Sequence, residues 1–208
     1  MRLFAAVWPP EDVLDHLDLA LGAVRRTLPG DGTGPVRWSA RETWHLTCAF
    51  YGDVADGRVP DLVGALSRSA ATSAPYRLRL RGAGVFSHRT LWVGVGGHTA
   101  AQQALAHAAV VAGEGAGTRP DDRPRERAHL TIGRVQDLGG RRGGRPWRPP
   151  RRESSDAFDA DALVGAMAVY EGPEWTVDEL LLVASKPGAG RGGGPLYTTV
   201  DAFGLAGE

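Results

Sequence analysis

A chain of 208 residues with 42% hydrophobic side chains suits one large domain or two small lobes sharing a core, and is ordinary for a soluble globular protein. Twenty-four basic residues balance 24 acidic ones, so the chain as a whole is not a polycation drawn to nucleic acid or acidic membranes, and any phosphate recognition must be local. The single cysteine, Cys48, excludes an internal disulfide framework and a cysteine-built zinc site.

The apolar run Leu3 to Trp8 reads as a first buried strand stopped by Pro9-Pro10. It is too short for a signal h-region or a membrane span, and we expect a cytoplasmic protein. Glu11-Asp12 then supply an acidic first turn, and Val13, Leu14, Leu17, Leu21, Val24 and Leu28 recur at helical steps up to Pro29-Gly30. Val36-Arg37-Trp38 predicts a short strand. A second strand carries Trp44-His45-Leu46-Thr47-Cys48-Ala49-Phe50-Tyr51-Gly52; strict alternation puts His45, Thr47, Ala49 and Tyr51 on one face and Leu46, Cys48 and Phe50 on the other. Val59, Leu62, Val63 and Leu66 have the helical period. Tyr76 to Val85 and Leu91 to Val95 read as a hairpin turning at Ser87-His88-Arg89, and Thr99 to Val111 as an alanine-rich helix.

After a Gly- and Pro-rich connection, Ala128-His129-Leu130-Thr131-Ile132-Gly133-Arg134-Val135 repeats the His-Leu-Thr strand. Arg141 to Arg152 is too rich in Gly, Pro and like charge to pack and reads as a flexible loop, more simply solvated than bound to an RNA backbone. Ala160 to Tyr170 predicts a short helix, Trp175 to Ala184 one central strand, and Leu196 to Phe203 a last strand. Strands and helices mix without a βαβ rhythm. The expected fold is α+β: one domain over residues 1–208 made of two intertwined lobes. Two antiparallel sheets would flank a central cleft with helices outside.

One His-x-Thr is a weak signal. Two copies, with the same central leucine and the same strand context, are better explained by duplication than by coincidence. A strand that holds an imidazole beside a hydroxyl, facing its own echo, builds a site with two acid–base groups and two hydrogen-bond donors. Imidazoles titrate near neutrality, so one histidine can take a proton while the other gives one. Thr47 and Thr131 would donate to phosphate oxygens as charge builds in an in-line displacement. Neither motif has a second His or carboxylate at metal-ligand spacing, so no metal or other cofactor is expected. Gly-x-Ser-x-Gly and Gly-Lys-Ser/Thr are also absent. Trp44 and Tyr51 are expected near the cleft as base-binding aromatics and Phe50 in the core. His16, His88, His98 and His107 are expected at the surface.

The block Arg2 to Pro10, the two motif blocks and Leu196-Tyr197-Thr198 resemble, in order and over nearly the whole length, the bacterial RNA 2′,3′-cyclic phosphodiesterases. These are also called 2′-5′ RNA ligases and belong to the 2H phosphoesterase superfamily. The resemblance implies a bilobal α+β fold with pseudo-two-fold symmetry and metal-independent opening of a 2′,3′-cyclic phosphate at an RNA 3′ end to a 2′-phosphate, with reversible 2′-5′ ligation in some members. It matches His45 and His129 to the catalytic histidines, Thr47 and Thr131 to their partners, and Arg134 to a basic position that could reach the phosphate. The sequence treats the histidines symmetrically; we take His45 as the acid and His129 as the base. Cys48, Tyr51 and Ala128 depart from the usual residues, which bears on substrate preference. The expected partners are RNA ends or nucleotides carrying a 2′,3′-cyclic phosphate, bound by a monomer with no membrane association. A non-catalytic RNA-binding module, or a 2H enzyme acting on another cyclic nucleotide or 2′-5′ linkage, remains the alternative.

Overall fold

The computed structural model describes residues 1–26, 36–120, 127–136 and 160–207. The Arg141 to Arg152 loop and Leu28 at the expected end of the first helix lie outside the described residues. In chain order the elements are β1 (Arg2–Val7), α1 (Glu11–Arg25), β2 (Val36–Trp38), β3 (Leu46–Asp53), α2 (Val59–Ala71), β4 (Tyr76–Phe86), β5 (Thr90–Gly97), α3 (Thr99–Gly115), β6 (His129–Val135), α4 (Ala160–Met167), β7 (Glu171–Val177), β8 (Glu179–Lys186) and β9 (Leu196–Gly204). Among the described residues no helix is long and apolar enough to cross a membrane.

Local chemistry accounts for the main boundaries. Pro9-Pro10 cannot donate to a strand ladder and end β1. Glu11 and Asp12 then place negative charge at the positive end of α1, which buries Val13, Leu14, Leu17 and Leu21. The β4–β5 hairpin turns through Ser87 and His88, both in the left-handed region at φ 49° and 55°. Such a turn matches the right-handed twist of the strands it joins.

The strands form one antiparallel sheet in the order β7-β4-β5-β6-β3-β1-β8-β9, with β2 extending along the β6 edge. The fold is α+β and antiparallel, and the two sheets are halves of this one. They meet at a single paired position, Leu46 opposite Leu130. Helices α2 and α3 pack on the half containing β3, while α1 and α4 pack on β7 and β4 in the other half. The helix that follows β1 thus covers the half to which β1 does not belong.

The apolar run expected as one strand from Trp175 to Ala184 is instead two. β7 pairs with β4, and β8 lies between β1 and β9. The run changes halves at Asp178, whose carbonyl accepts the Leu205 N–H at 2.7 Å. One linking residue suffices because the sheet is curled enough to bring its two ends together. The adjacent acidic residues Asp178-Glu179 interrupt the alternation at this point, and which strands are available as neighbours sets where each part pairs.

The main core lies between the sheet and the helices and includes Leu46, Leu130, Leu80, Leu91 and Leu105. A smaller apolar cluster, Phe4, Ala6 and Val183 with Trp8, Phe50, Leu181 and Tyr197 against it, is separate from that core. His45 packs against this second cluster, touching Phe4, Trp8 and Tyr197.

Candidate active site

The Leu46–Leu130 pair organises the site. Both leucines are fully buried in the main core, so their neighbours in each strand project to the opposite face. Those neighbours are His45 and Thr47 on one side and His129 and Thr131 on the other. Antiparallel register about the leucine pair sets His45 across from Thr131 and Thr47 across from His129. All four side chains therefore share one face where the two halves meet.

Simple alternation fails just beyond, and in the same way in both strands. Opposite β1, the partners of Ala5 and Ala6 are Ala49 and Thr47, which leaves Cys48 as an extra residue. Opposite β5, the partners of Leu91 and Trp92 are Gly133 and Thr131, which leaves Ile132 as the extra one. A bulge of this kind reverses the facing of everything after it. Cys48 and Ala49 are consecutively buried, as are Ile132 and Gly133. The fifth residue after each histidine then returns to the cleft face: Phe50 in β3 and Arg134 in β6.

These bulges correct the expected placement of the aromatics. Tyr51 is in the core, its ring laid against Gly113, where a Cβ would come within 2.5 Å, and its hydroxyl donating to the Ala109 carbonyl at 2.9 Å. Trp44 is fully buried in the same core, because it precedes His45 and alternates away from the cleft. Phe50, expected in the core, faces the cleft, where the Arg2 guanidinium lies 4.9 Å from its ring centroid.

The two histidines are held by one device. His45 Nδ1 lies 2.7 Å from the Thr43 carbonyl oxygen, and His129 Nδ1 lies 3.0 Å from the Arg127 carbonyl oxygen. Each carbonyl belongs to the residue two positions earlier. A carbonyl can only accept, so Nδ1 carries the proton in both rings and Nε2 is the exchangeable nitrogen. His45 Nε2 is 3.1 Å from Thr47 Oγ1, which joins the imidazole and hydroxyl of the first motif directly.

Aromatic rings missing from the sequence reading complete the surroundings. Trp8 stacks on His45 at 4.7 Å between centroids, Phe4 lies at 4.9 Å, and Tyr197 meets the ring edge-on at 5.3 Å. Phe86 meets His129 edge-on at 4.9 Å and stacks on Trp92 at 5.0 Å. The even spacing of Phe4 and Ala6 in β1 and of Trp8 just after it was a usable signal for one shared face. Phe86 gave no signal, because its place beside His129 depends on the hairpin. Burial raises the Tyr197 hydroxyl pKa and the nearby Arg134 charge opposes that rise, so Arg134 acts electrostatically on a residue in contact with His45. His16 is exposed, with Nδ1 3.2 Å from the Tyr170 hydroxyl. Among the described residues no group of three His, Cys, Asp or Glu side chains is placed to hold a metal ion.

Known proteins resemble this chain in sequence and in fold. The family model described as LigT-like phosphoesterase matches residues 7–92. An RNA 2′,3′-cyclic phosphodiesterase of Thermus thermophilus is 32% identical over 216 residues, covering 100% of this chain and 92% of that protein. Among solved structures, TT0787 of Thermus thermophilus has a TM-score of 0.70 at 27% identity, with 100% of both chains covered. The apo form of E. coli LigT shares the fold with a TM-score of 0.66 at 21% identity, over 98% of this chain and 96% of that one. With a full-length relative at this identity and the paired His-x-Thr strands at the junction of its two half-sheets, the chain belongs to the LigT-like phosphoesterases of the 2H superfamily.

Proposed function

We propose that this protein opens the 2′,3′-cyclic phosphate at an RNA 3′ end to a 2′-phosphate, with His45 and His129 as an acid–base pair and no metal. The observation that carries this reading is the matched anchoring of the two imidazoles. Each Nδ1 is committed to a backbone carbonyl, so in each ring Nε2 is the nitrogen that can exchange a proton on the shared face. One histidine takes a proton from water as the water oxygen attacks phosphorus. The P–O3′ bond breaks, and the other histidine delivers a proton to the departing O3′. The phosphate stays on O2′. Attack by an RNA 5′-hydroxyl in place of water would join two fragments through a 2′-5′ linkage by the same proton transfers.

His45 is assigned as the acid. Its stacked Trp8 ring and neighbouring Phe4 suit a cationic imidazolium, whereas His129 lies in the half-sheet that carries the arginines. Thr47, Thr131 and Arg134 are assigned to the phosphate, the hydroxyls donating to its non-bridging oxygens and the guanidinium supplying charge-assisted hydrogen bonds. Phe50, packed against the same apolar cluster as Tyr197, is assigned as the face on which the terminal nucleobase lies.

The test is to incubate the purified protein with nucleoside 2′,3′-cyclic phosphates in EDTA and identify the product. Nucleoside 2′-monophosphate is expected. A 3′-monophosphate, or loss of activity on chelation, would overturn the assignment.

A further inference from the structure

A cavity of about 450 Å³ opens beside His129 on the side away from β3, lined among others by Arg81, Trp92, Gly94, Thr99, Gln103 and Arg127. Strand register fixes its relation to the site. Arg81 of β4 pairs with Gly94 of β5, and Gly94 pairs with His129 of β6. Directly paired residues point to the same face, so Arg81, Gly94 and His129 form one row across three strands. The middle position has no side chain, and the Trp92 indole lies over it, 3.2 Å from where a Cβ would sit. Trp92 forms a flat wall; it lies across Gly84, where a Cβ would sit 2.2 Å from the indole. Arg127 also lines the cavity, while its carbonyl holds His129 Nδ1.

The charge of this wall is directed. Arg79 engages Glu171 at 2.6 Å and Glu174 at 3.0 Å. Arg81 reaches Glu171 only at 3.9 Å, through Nε. Arg79 thus takes up most of the available carboxylate, and Arg81, more loosely paired, lines a cavity that Arg127 also lines. Two guanidiniums, a hydroxyl, an amide and an indole face make a lining suited to a phosphodiester and its nucleoside. Across the site, the surroundings of His45 are aromatic and apolar, and suit a base without a phosphate.

We propose that this cavity is an upstream RNA subsite. It holds the phosphodiester on the 5′ side of the terminal nucleotide, together with the penultimate nucleoside, so the preferred substrate is an oligonucleotide end rather than a free nucleoside cyclic phosphate. The inference rests on the assignment of the paired histidines to a cyclic phosphate.

Equilibrium binding tests it independently of turnover. The probes are a dinucleotide ending in a 2′-phosphate and the matching nucleoside 2′-monophosphate, titrated against the wild type, Arg81→Gln and Arg127→Gln. The wild type should bind the dinucleotide about tenfold more tightly, as expected for one charge-assisted phosphate contact. Its affinity should also fall more steeply with salt, by roughly 0.7 in logarithmic slope for one further phosphate on a single strand. Each variant should bring the affinity ratio toward one and remove the extra salt slope. Equal affinity of the wild type for the two probes would overturn the subsite. So would a ratio that survives both substitutions, or variants that weaken both probes equally, which would make the cavity the site of the terminal nucleotide. Product identification in EDTA separately decides the hydrolytic reading.

Discussion

The two halves of the sheet build the same backbone and dress it differently. In both, a buried leucine separates His from Thr, a bulge follows the Thr, and the imidazole is pinned through Nδ1 to the carbonyl two residues before it. Around His45 the partners are Trp8, Phe4 and Tyr197, with Phe50 at the fifth position. Around His129 they are Phe86 and Trp92, with Arg134 at the fifth position and an Arg77, Arg79, Arg81 ladder against Glu171 and Glu174 beyond. A reaction that needs one proton donor and one acceptor is favoured when the two groups hold their protons unequally. The shared backbone gives the two imidazoles equivalent geometry, and under the proposed mechanism the different side chains around them would set unequal roles.

The largest expected effects break the pairing itself. His45→Ala and His129→Ala should each lower turnover of a nucleoside 2′,3′-cyclic phosphate by about 10²–10⁴-fold, with the circular dichroism spectrum and melting transition retained. A large loss in one variant alone would mean that the matching geometry does not reflect matching involvement. Next come the hydroxyls: Thr47→Val and Thr131→Val should each lower kcat by roughly a hundredfold, the scale of one lost oxyanion donor. Thr47→Val should also alter the pH dependence, because Thr47 Oγ1 lies 3.1 Å from His45 Nε2.

Adjacent aromatics in β3 give a sharper and smaller contrast. Phe50→Ala should raise KM by an amount corresponding to about 1–3 kcal/mol, the worth of one base–aromatic stack, with little change in melting temperature. Tyr51→Phe removes a buried hydrogen bond to Ala109 and should lower stability by about 1 kcal/mol with kinetics intact. Chemical denaturation and steady-state kinetics on the same preparations separate the two. The reverse pattern would return Tyr51 to the cleft and remove the bulge as the cause.

The smallest expected effect concerns the charge ladder in the His129 half. The Arg79 hydrogen bond holds the Glu171 carboxyl below its ordinary value. A carboxyl lowered in the folded state adds stability above its unfolded pKa and loses it as pH falls through the folded one. Melting temperature measured across the acid range should therefore fall slightly less steeply in Arg79→Ala than in the wild type, and a steeper fall would contradict this.

Much of the fold was legible because it depends on local pattern. The apolar face of α1, the prolines that stop β1 and the β4–β5 hairpin all follow from residues close in sequence. The doubled His-Leu-Thr was legible for a different reason: repetition makes an otherwise common tripeptide informative, and its central leucines are the pair that joins the half-sheets. Alternation failed where a neighbouring strand decides the facing. Tyr51, counted with His45 by parity, is buried because Cys48 is an extra residue opposite β1. A trace of this was present in both copies, since Thr47 and Thr131 are each followed by two consecutive nonpolar residues, Cys48-Ala49 and Ile132-Gly133, which a strictly half-buried strand does not contain. The split of Trp175 to Ala184 into β7 and β8 was marked only by the adjacent polar residues Asp178-Glu179, and the row of Arg81, Gly94 and His129 left no trace, because it depends on strand order.

The most direct measurement of the paired chemistry is the pH dependence of kcat/KM on a nucleoside 2′,3′-cyclic phosphate in EDTA, for the wild type and for each histidine variant. A bell-shaped wild-type profile is expected, with one limb lost in the residual activity of His45→Ala and the opposite limb lost in His129→Ala. A single variant that keeps near wild-type turnover with both limbs intact would contradict the pairing.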